Sequence, residues 1–317
     1  MKATVISVIS PVYNVQEFLP AFIQSVISQS FADWELILVD DGSSDGSGRI
    51  CDKFAETDER IKALHKDNGG VCSARNTGIR NACGCWLYFA DPDDELLPEC
   101  LETLFASASA DVDLISASYE RFESGALVPK KILKDGGRCD VVGFLKEITS
   151  LPNARFFERY LWTKLFRRSI IEKNDVSFRE DFSYREDVVF LFTYLSRCKS
   201  AVVWIDRDVY RYYRRADGAA ERVTGSFSKH SFDMFYSLAV CYDLVGGMEG
   251  CDEVRKNLTR EMLFFCFHIH RLILRDGVWR ETKAERRRML TDLKETVPLR
   301  DIVSVVAKRM FLPSKRS

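Results

Sequence analysis

Three carboxylates fall within four residues at Asp91, Asp93 and Asp94. Directly before them, Trp86-Leu87-Tyr88-Phe89 is a short apolar, aromatic run of the kind that forms a buried strand. Like charges crowded at the end of a buried strand repel one another and lose solvation. A chain tolerates that best where a cation sits. Alternate residues of an extended segment share a side, so Asp91 and Asp93 can face one site while Asp94 turns toward its surroundings. The same run can also be an acidic turn capping a helix that opens near Pro98. A second acidic pair, Glu186-Asp187, precedes a strongly apolar helical stretch. The helix dipole there favours an ionised carboxylate, and capping alone would also account for the pair.

These residues need elements to hold them. Thr4–Ser10 reads as a β-branched strand ending in Pro11-Val12-Tyr13-Asn14, and Asn14 can cap a helix to about Gln29. Trp34–Val39 is a second strand, ending in Asp40-Asp41-Gly42-Ser43-Ser44-Asp45, with Ser44 or Asp45 capping a helix to about Ala55. Ile61–His65 is a third strand, followed by the Gly69-Gly70 loop and a helix from about Val71 to Ala82. Strands alternating with helices over the first hundred residues describe a doubly wound α/β sheet, whose ligands bind at the carboxyl ends of the strands. All four polar motifs lie at such ends.

Further on, Asp113–Phe122 reads as a strand, Trp162–Lys173 as a helix, and Asp187–Ser196 as an apolar helix. Strands follow at Ala201–Ile205 and Val209–Tyr213. From about Ser226 the pattern is helical: Ser226–Leu244, Glu253–Leu274, Arg280–Thr296 and Arg300–Met310.

Composition bounds the function. The 317 residues carry a net charge of −1, so no overall field draws nucleic acid. The ten cysteines include no CxxC, and no histidine neighbours them, which argues against a zinc site. The apolar part of MKATVISVIS is too short for a secretory signal, and no run of 18 apolar residues occurs. Reduced thiols in a cytoplasmic protein are the expectation. His65 and His230 read as ordinary surface or core residues, and His268 and His270 fall about 200° apart on a helix, which disfavours a shared ligand role.

Pro11-Val12-Tyr13-Asn14, Asp40-Asp41-Gly42-Ser43, Gly69-Gly70-Val71 with Ala74-Arg75-Asn76, Phe89-Ala90-Asp91-Pro92-Asp93-Asp94 and Glu186-Asp187 together resemble the family 2 glycosyltransferases. Trp162-Thr163-Lys164-Leu165-Phe166 and Tyr210-Arg211-Tyr212 fit that family's later signatures, so the resemblance covers roughly residues 3–215. It implies an α/β fold of GT-A type: a Rossmann-like mixed sheet flanked by helices, here with a C-terminal helical appendage. The implied domains are 1–224, with a nucleotide-sugar half (1–110) and an acceptor half (111–224), and a helical region 225–317.

The resemblance implies an inverting enzyme that moves a sugar from a nucleotide-sugar, with UDP the commonest carrier, to a hydroxyl of a glycan or lipid-linked saccharide. Asp187 is implied as the general base, with Glu186 beside it to orient the acceptor or support the site. Asp93 is implied as ligand of Mn²⁺ or Mg²⁺, and Asp91 as its neighbour and a contact of the ribose. Pro11, Val12 and Tyr13 would line the base pocket, and Asp40, or Asp41, would accept from base or ribose. Gly69-Gly70 lets backbone approach the nucleotide, and Arg75 can bind a carbonyl or phosphate. Two departures stand out. Pro92 replaces the small or polar residue usual between the aspartates, and Arg214-Arg215-Ala216-Asp217 only loosely resembles the expected basic loop. Which of Arg214 and Arg215 reaches a pyrophosphate stays open.

Two other classes compete. An aspartyl phosphatase of the haloacid dehalogenase type needs its DxD after the first strand, where this chain has Ser10-Pro11-Val12-Tyr13. A degenerate domain that binds nucleotide or glycan without turnover is disfavoured by the presence of Asp91, Asp93 and Asp187. Finally, Arg275–Ser317 holds twelve Lys/Arg against six Asp/Glu, interleaved with apolar residues. Such helices can lie on an anionic membrane face, or simply pack with a solvated basic side.

Overall fold

The computed structural model describes residues 4–128, 136–150, 159–215 and 226–297. In chain order these form β1 (Ile6–Val12), α1 (Leu19–Ile27), β2 (Trp34–Asp40), α2 (Ser47–Thr57), β3 (Ile61–His65), α3 (Gly70–Asn81) and β4 (Trp86–Phe89). Next come β5 (Glu95–Leu96), α4 (Cys100–Phe105), β6 (Val112–Glu123), β7 (Ala126–Val128), β8 (Gly137–Cys139) and α5 (Val141–Thr149). They are followed by β9 (Lys164–Arg167), α6 (Arg168–Lys173), α7 (Glu186–Leu195) and β10 (Ala201–Arg214). The C-terminal part holds α8 (Asp233–Gly246), α9 (Asp252–Arg275) and α10 (Lys283–Thr296).

One mixed sheet runs in the order β3-β2-β1-β4-β9-β6-β10-β5. β3, β2, β1 and β4 are parallel, which sets the ends of β1, β2 and β4 on one rim. Pairing of β1 with β4 stops at Ile9 opposite Phe89, two residues before Pro11. There the sheet opens into the rim that carries the polar motifs.

Side chains of β4 alternate between two apolar layers, as a strand buried on both faces requires. Leu87 and Phe89 join α3, α5 and α7 on one face; Trp86 and Tyr88 join α1 and α4 on the other. Each such side chain contributes about 1.5–3 kcal/mol by leaving water. The C-terminal helices are present as expected and extend the first layer: α8 packs on α7, and α9 on α8 and α5. Their Phe235, Leu238, Leu258 and Met262 belong to the same apolar cluster as Phe89 and Phe190.

Three local expectations are corrected. Trp162–Lys173 is not one helix; Lys164–Arg167 is a strand between β4 and β6, and only Arg168–Lys173 is helical. Leu165 and Phe166 enter opposite layers, which extended backbone alone allows, so tertiary burial overrides a helix-forming composition. The strands expected at 201–205 and 209–213 are a single β10, interrupted by bulges around Trp204 and Asp208. The first helix begins at Leu19, not Asn14. Asn14 sits at φ +51° and its Oδ1 accepts from Ser44 N at 2.8 Å, so it ties the first rim loop to the second. The helix expected at Arg300–Met310, like the boundary near 224, lies outside the described residues.

Candidate functional site

Arg75 is where the separate motifs meet. It projects from α3, is 6% exposed, and donates from Nη2 to Asp91 Oδ1 at 2.9 Å and from Nη1 to Glu186 Oε1 at 2.8 Å. The end of β4 and the start of α7, 95 positions apart in the chain, therefore share one cation. Burial would lower the Arg75 pKa, but the charges of Asp91, Glu186 and Asp187 outweigh it and raise it, so the guanidinium stays charged. The sequence offers Arg75 to a carbonyl or phosphate. Instead both of its bonded nitrogens are taken by carboxylates, and it acts as the strut between two acidic sites.

The DPDD turn divides its three carboxylates. Asp91 and Asp93 remain 32% and 40% exposed at the rim, while Asp94 turns inward. Asp94 accepts from Tyr213 N at 2.8 Å and from Tyr210 Oη at 3.1 Å. Burial first, then the charges of Asp93 and Asp91, push its pKa well above the carboxylate range. Tyr210 also accepts from Asp91 N at 3.2 Å, and its ring stacks on Trp162 at 4.6 Å. This explains physically why the later Trp162 and Tyr210 signatures accompany DPDD: they form the bed beneath the turn.

Arg215 settles on Asp93, donating from Nη1 to Oδ2 at 2.6 Å and lying over the Phe18 ring at 4.1 Å. Arg214 instead pairs with Glu123 at 3.0 Å. A pocket of about 410 Å³ opens beside Asp93, walled by Glu17, Phe18, Phe122, Tyr213 and Arg215.

At the start of α7, Glu186 and Asp187 occupy the first turn. Asp187 Oδ1 accepts from Val188 N at 2.8 Å. The sequence predicts an ionised carboxylate there, held by the helix dipole. The structure corrects this: desolvation, helped by the negative charge of Glu186, raises the Asp187 pKa to about 7 against the pull of Arg75. A carboxyl poised near neutrality is suited to taking and giving protons.

The remaining predicted residues are placed as follows. Val12 is fully buried and belongs to the core beneath the rim, Pro11 is buried at the strand end, and Tyr13 stands 51% exposed above them. Asp40 accepts from Ser43 N at 3.0 Å and meets His65 Nδ1 at 2.9 Å. His65 Nε2 meets Asp52 at 2.8 Å; the bonds to Asp40, then Asp52, raise the His65 pKa. Asp41 accepts from Gly69 N at 3.0 Å and Gly70 N at 2.7 Å. The two glycine amides thus fasten their loop to the second rim loop. Gly70, at φ +86°, adopts a conformation that a residue with a Cβ would resist.

Several contributors were not legible beforehand. His65 reads from sequence as an ordinary residue, yet it bridges two aspartates. Arg185, buried at φ +64° just before Glu186, ordinarily costs an L residue about 1–2 kcal/mol in that conformation. No sequence signal announces a left-handed arginine.

Residues 7–174 match the family model described as glycosyl transferase family 2. The chain belongs to that family. It is 31% identical to the uncharacterized glycosyltransferase EpsJ of Bacillus subtilis over 219 residues, 68% of this chain and 63% of that protein. The chain thus spans less than two thirds of that relative's length. Its fold superposes on Staphylococcus aureus TarS residues 1–349, solved with UDP-GlcNAc, with a TM-score of 0.75 at 21% identity, covering 96% of this chain and 84% of that one. It also superposes on a Pyrobaculum calidifontis mannosyltransferase solved with GDP-Man and Mn²⁺, with a TM-score of 0.54 at 14% identity, covering 96% and 79%. The fold is GT-A, as expected.

Proposed function

We propose that this family 2 protein is an inverting glycosyltransferase that moves a sugar from a nucleoside diphosphate sugar, most simply a UDP-sugar, to a hydroxyl of a glycan or lipid-linked saccharide. The observation that carries the reading is the Arg75 strut. It ties the rim carboxylate of Asp91 and the α7 carboxylate of Glu186 to one guanidinium. That TarS was solved with UDP-GlcNAc supports a uridine donor for this chain.

On this reading, Asp187 takes the proton of the acceptor hydroxyl as its oxygen attacks the anomeric carbon. The bond to the diphosphate oxygen breaks on the opposite face, so the centre inverts without a covalent intermediate. Glu186, anchored by Arg75, orients the acceptor. Tyr13 offers the exposed ring for the nucleobase, and Asp40 with His65 forms the polar floor behind it.

The rim also fits a divalent ion. Asp91 and Asp93 present hard carboxylate oxygens, the donor type of Mg²⁺ and Mn²⁺. Among the described residues, no group of three or more His, Cys, Asp or Glu could hold a metal by itself. Asp93 would therefore be the protein's ligand, with Asp91 beside it and diphosphate oxygens completing the set. Bound there, the ion neutralises charge on the leaving diphosphate, worth several kcal/mol. The test is UDP release from a panel of UDP-sugars, with and without acceptor saccharides. Release that depends on acceptor supports transfer; donor binding without release in every combination contradicts it.

The C-terminal helices support a place at an anionic membrane face. Five of the seven large apolar side chains exposed among the described residues lie there: Phe264, Phe267, Leu274, Trp279 and Leu290. Arg271, Arg275 and Arg286–Arg288 are interleaved with them. Binding to anionic vesicles that weakens as salt rises is expected; no binding even at low salt would leave these helices a structural role only.

A further inference from the structure

A buried charge cluster adjoins the start of α7 through Arg185. Glu261 on α9 is 1% exposed and sits between two guanidinium groups. Arg185 Nη2 donates to its Oε1 at 3.0 Å, and Arg159 Nη1 donates to its Oε1 at 3.0 Å and lies 2.9 Å from its Oε2. Arg159 also donates from Nε to Ile148 O at 3.0 Å, which anchors that side of the cluster to α5. The Arg185 guanidinium lies over the ring of Phe265, one turn along α9 from Glu261.

Arg185 is the residue immediately before Glu186-Asp187, and its backbone is left-handed, at φ +64° and ψ 22°. That conformation bends the chain sharply into α7 and sets the direction in which the first-turn carboxylates leave the helix. For an L residue that conformation is costly and persists where the surrounding structure over-determines it. Here the fixing group is the Glu261 carboxylate on α9.

We propose that Glu261 is a positioning residue for Asp187, acting through Arg185: the buried ion pair holds the left-handed turn and so aims the base. The inference rests on Asp187 being the base. It gives α9 a part in the reaction beyond filling the core. The groups acting electrostatically on Asp187 are Glu186 on its own helix, Arg75 from α3, and Arg185 behind it, with Cys72, Tyr160 and Cys241 close by. Glu261 offsets the positive charge of Arg185, so it also moderates how strongly Arg185 favours the ionised form of Asp187.

The test compares Glu261→Gln with Arg159→Gln in the full chain. Both disrupt the same buried cluster, but only the first removes the partner of Arg185. For Glu261→Gln we expect kcat to fall roughly 10- to 100-fold, the range for misaimed catalytic groups, with donor affinity unchanged. The acid limb of its pH–rate profile should move to lower pH, because Arg185 without its counter-charge stabilises ionised Asp187 more. Arg159→Gln should lower the melting temperature without moving that limb. If the two variants affect kcat and the limb alike, or Glu261→Gln leaves both unchanged, the cluster is structural and the proposal fails. Should Glu261→Gln not fold, Arg185→Gly against Arg185→Ala decides. Glycine adopts the left-handed turn freely and should retain more turnover than alanine; equal loss contradicts the proposal. If Asp187→Asn itself keeps full turnover, the base assignment has failed instead.

Discussion

At the end of β4, Asp91 and Asp93 keep 32% and 40% of their side chains in solvent, each facing an arginine. At the start of α7, Glu186 keeps only 13%, and Asp187 is desolvated enough for its pKa to rise to about 7. The two acidic regions have similar composition and share Arg75, yet their surroundings prepare them for different chemistry. Exposed, arginine-faced carboxylates are suited to exchanging partners with a cation or a diphosphate. A desolvated carboxyl is suited to moving a proton. Environment, rather than residue type, divides the labour.

The sharpest way to break this contrast is at the rim. Asp93→Ala should abolish transfer and weaken nucleotide-sugar binding, and chelation should mimic it in the wild type, with Mn²⁺ or Mg²⁺ restoring activity only there. Full wild-type activity in EDTA would remove the cation from the account.

Acidity probes the other region. Asp187 must be ionised to accept a proton, so kcat/KM should fall about tenfold per pH unit below roughly 7. The sign of the stability effect is opposite. A carboxyl whose folded pKa is raised contributes stability that is present in acid and lost as pH rises through about 7. Activity and the Asp187 contribution to stability should therefore cross over in the same window. A profile flat from pH 5 to 8 would show that the α7 pair does no proton transfer.

The smallest effect is expected at the third rim carboxylate. Asp94 accepts from Tyr213 N at Oδ1 and from Tyr210 Oη at Oδ2; an amide oxygen keeps the first bond, while its NH2 can donate to Tyr210 Oη, whose own proton can turn to Asp91 O. Asp94→Asn should keep transfer within a few-fold of wild type, a change of about 1 kcal/mol or less, whereas Asp94→Ala should lower the melting temperature by leaving Tyr213 N–H unpaired. A loss as severe as that of Asp93→Ala would place Asp94 among the working groups.

Much of this arrangement was legible in the sequence where local pattern decides it. An apolar run broken by carboxylates marks a strand end, and alternating strands and helices put four such ends on one rim. The inward direction of Asp94 matches the expectation, but a turn closed by Asp94 N donating to Asp91 O at 3.3 Å produces it, not the alternation of extended backbone. What could not be read depends on contacts between distant parts of the chain. Lys164–Arg167 has a helical composition, and only the two apolar layers on either side make it a strand. The spacing of Arg75 from Asp91 and Glu186 says nothing of a shared guanidinium. The Asp187 pKa is set by burial under elements that the local sequence does not specify, so the dipole argument alone pointed the wrong way.

The central claim is that Asp187 transfers a proton and does not bind the donor. Asp187→Asn tests it most directly when UDP-sugar affinity and UDP release are measured on one preparation. The account predicts donor affinity close to wild type, with turnover reduced by roughly 10²-fold or more. Turnover kept at the wild-type rate, or donor binding lost in step with turnover, would contradict it.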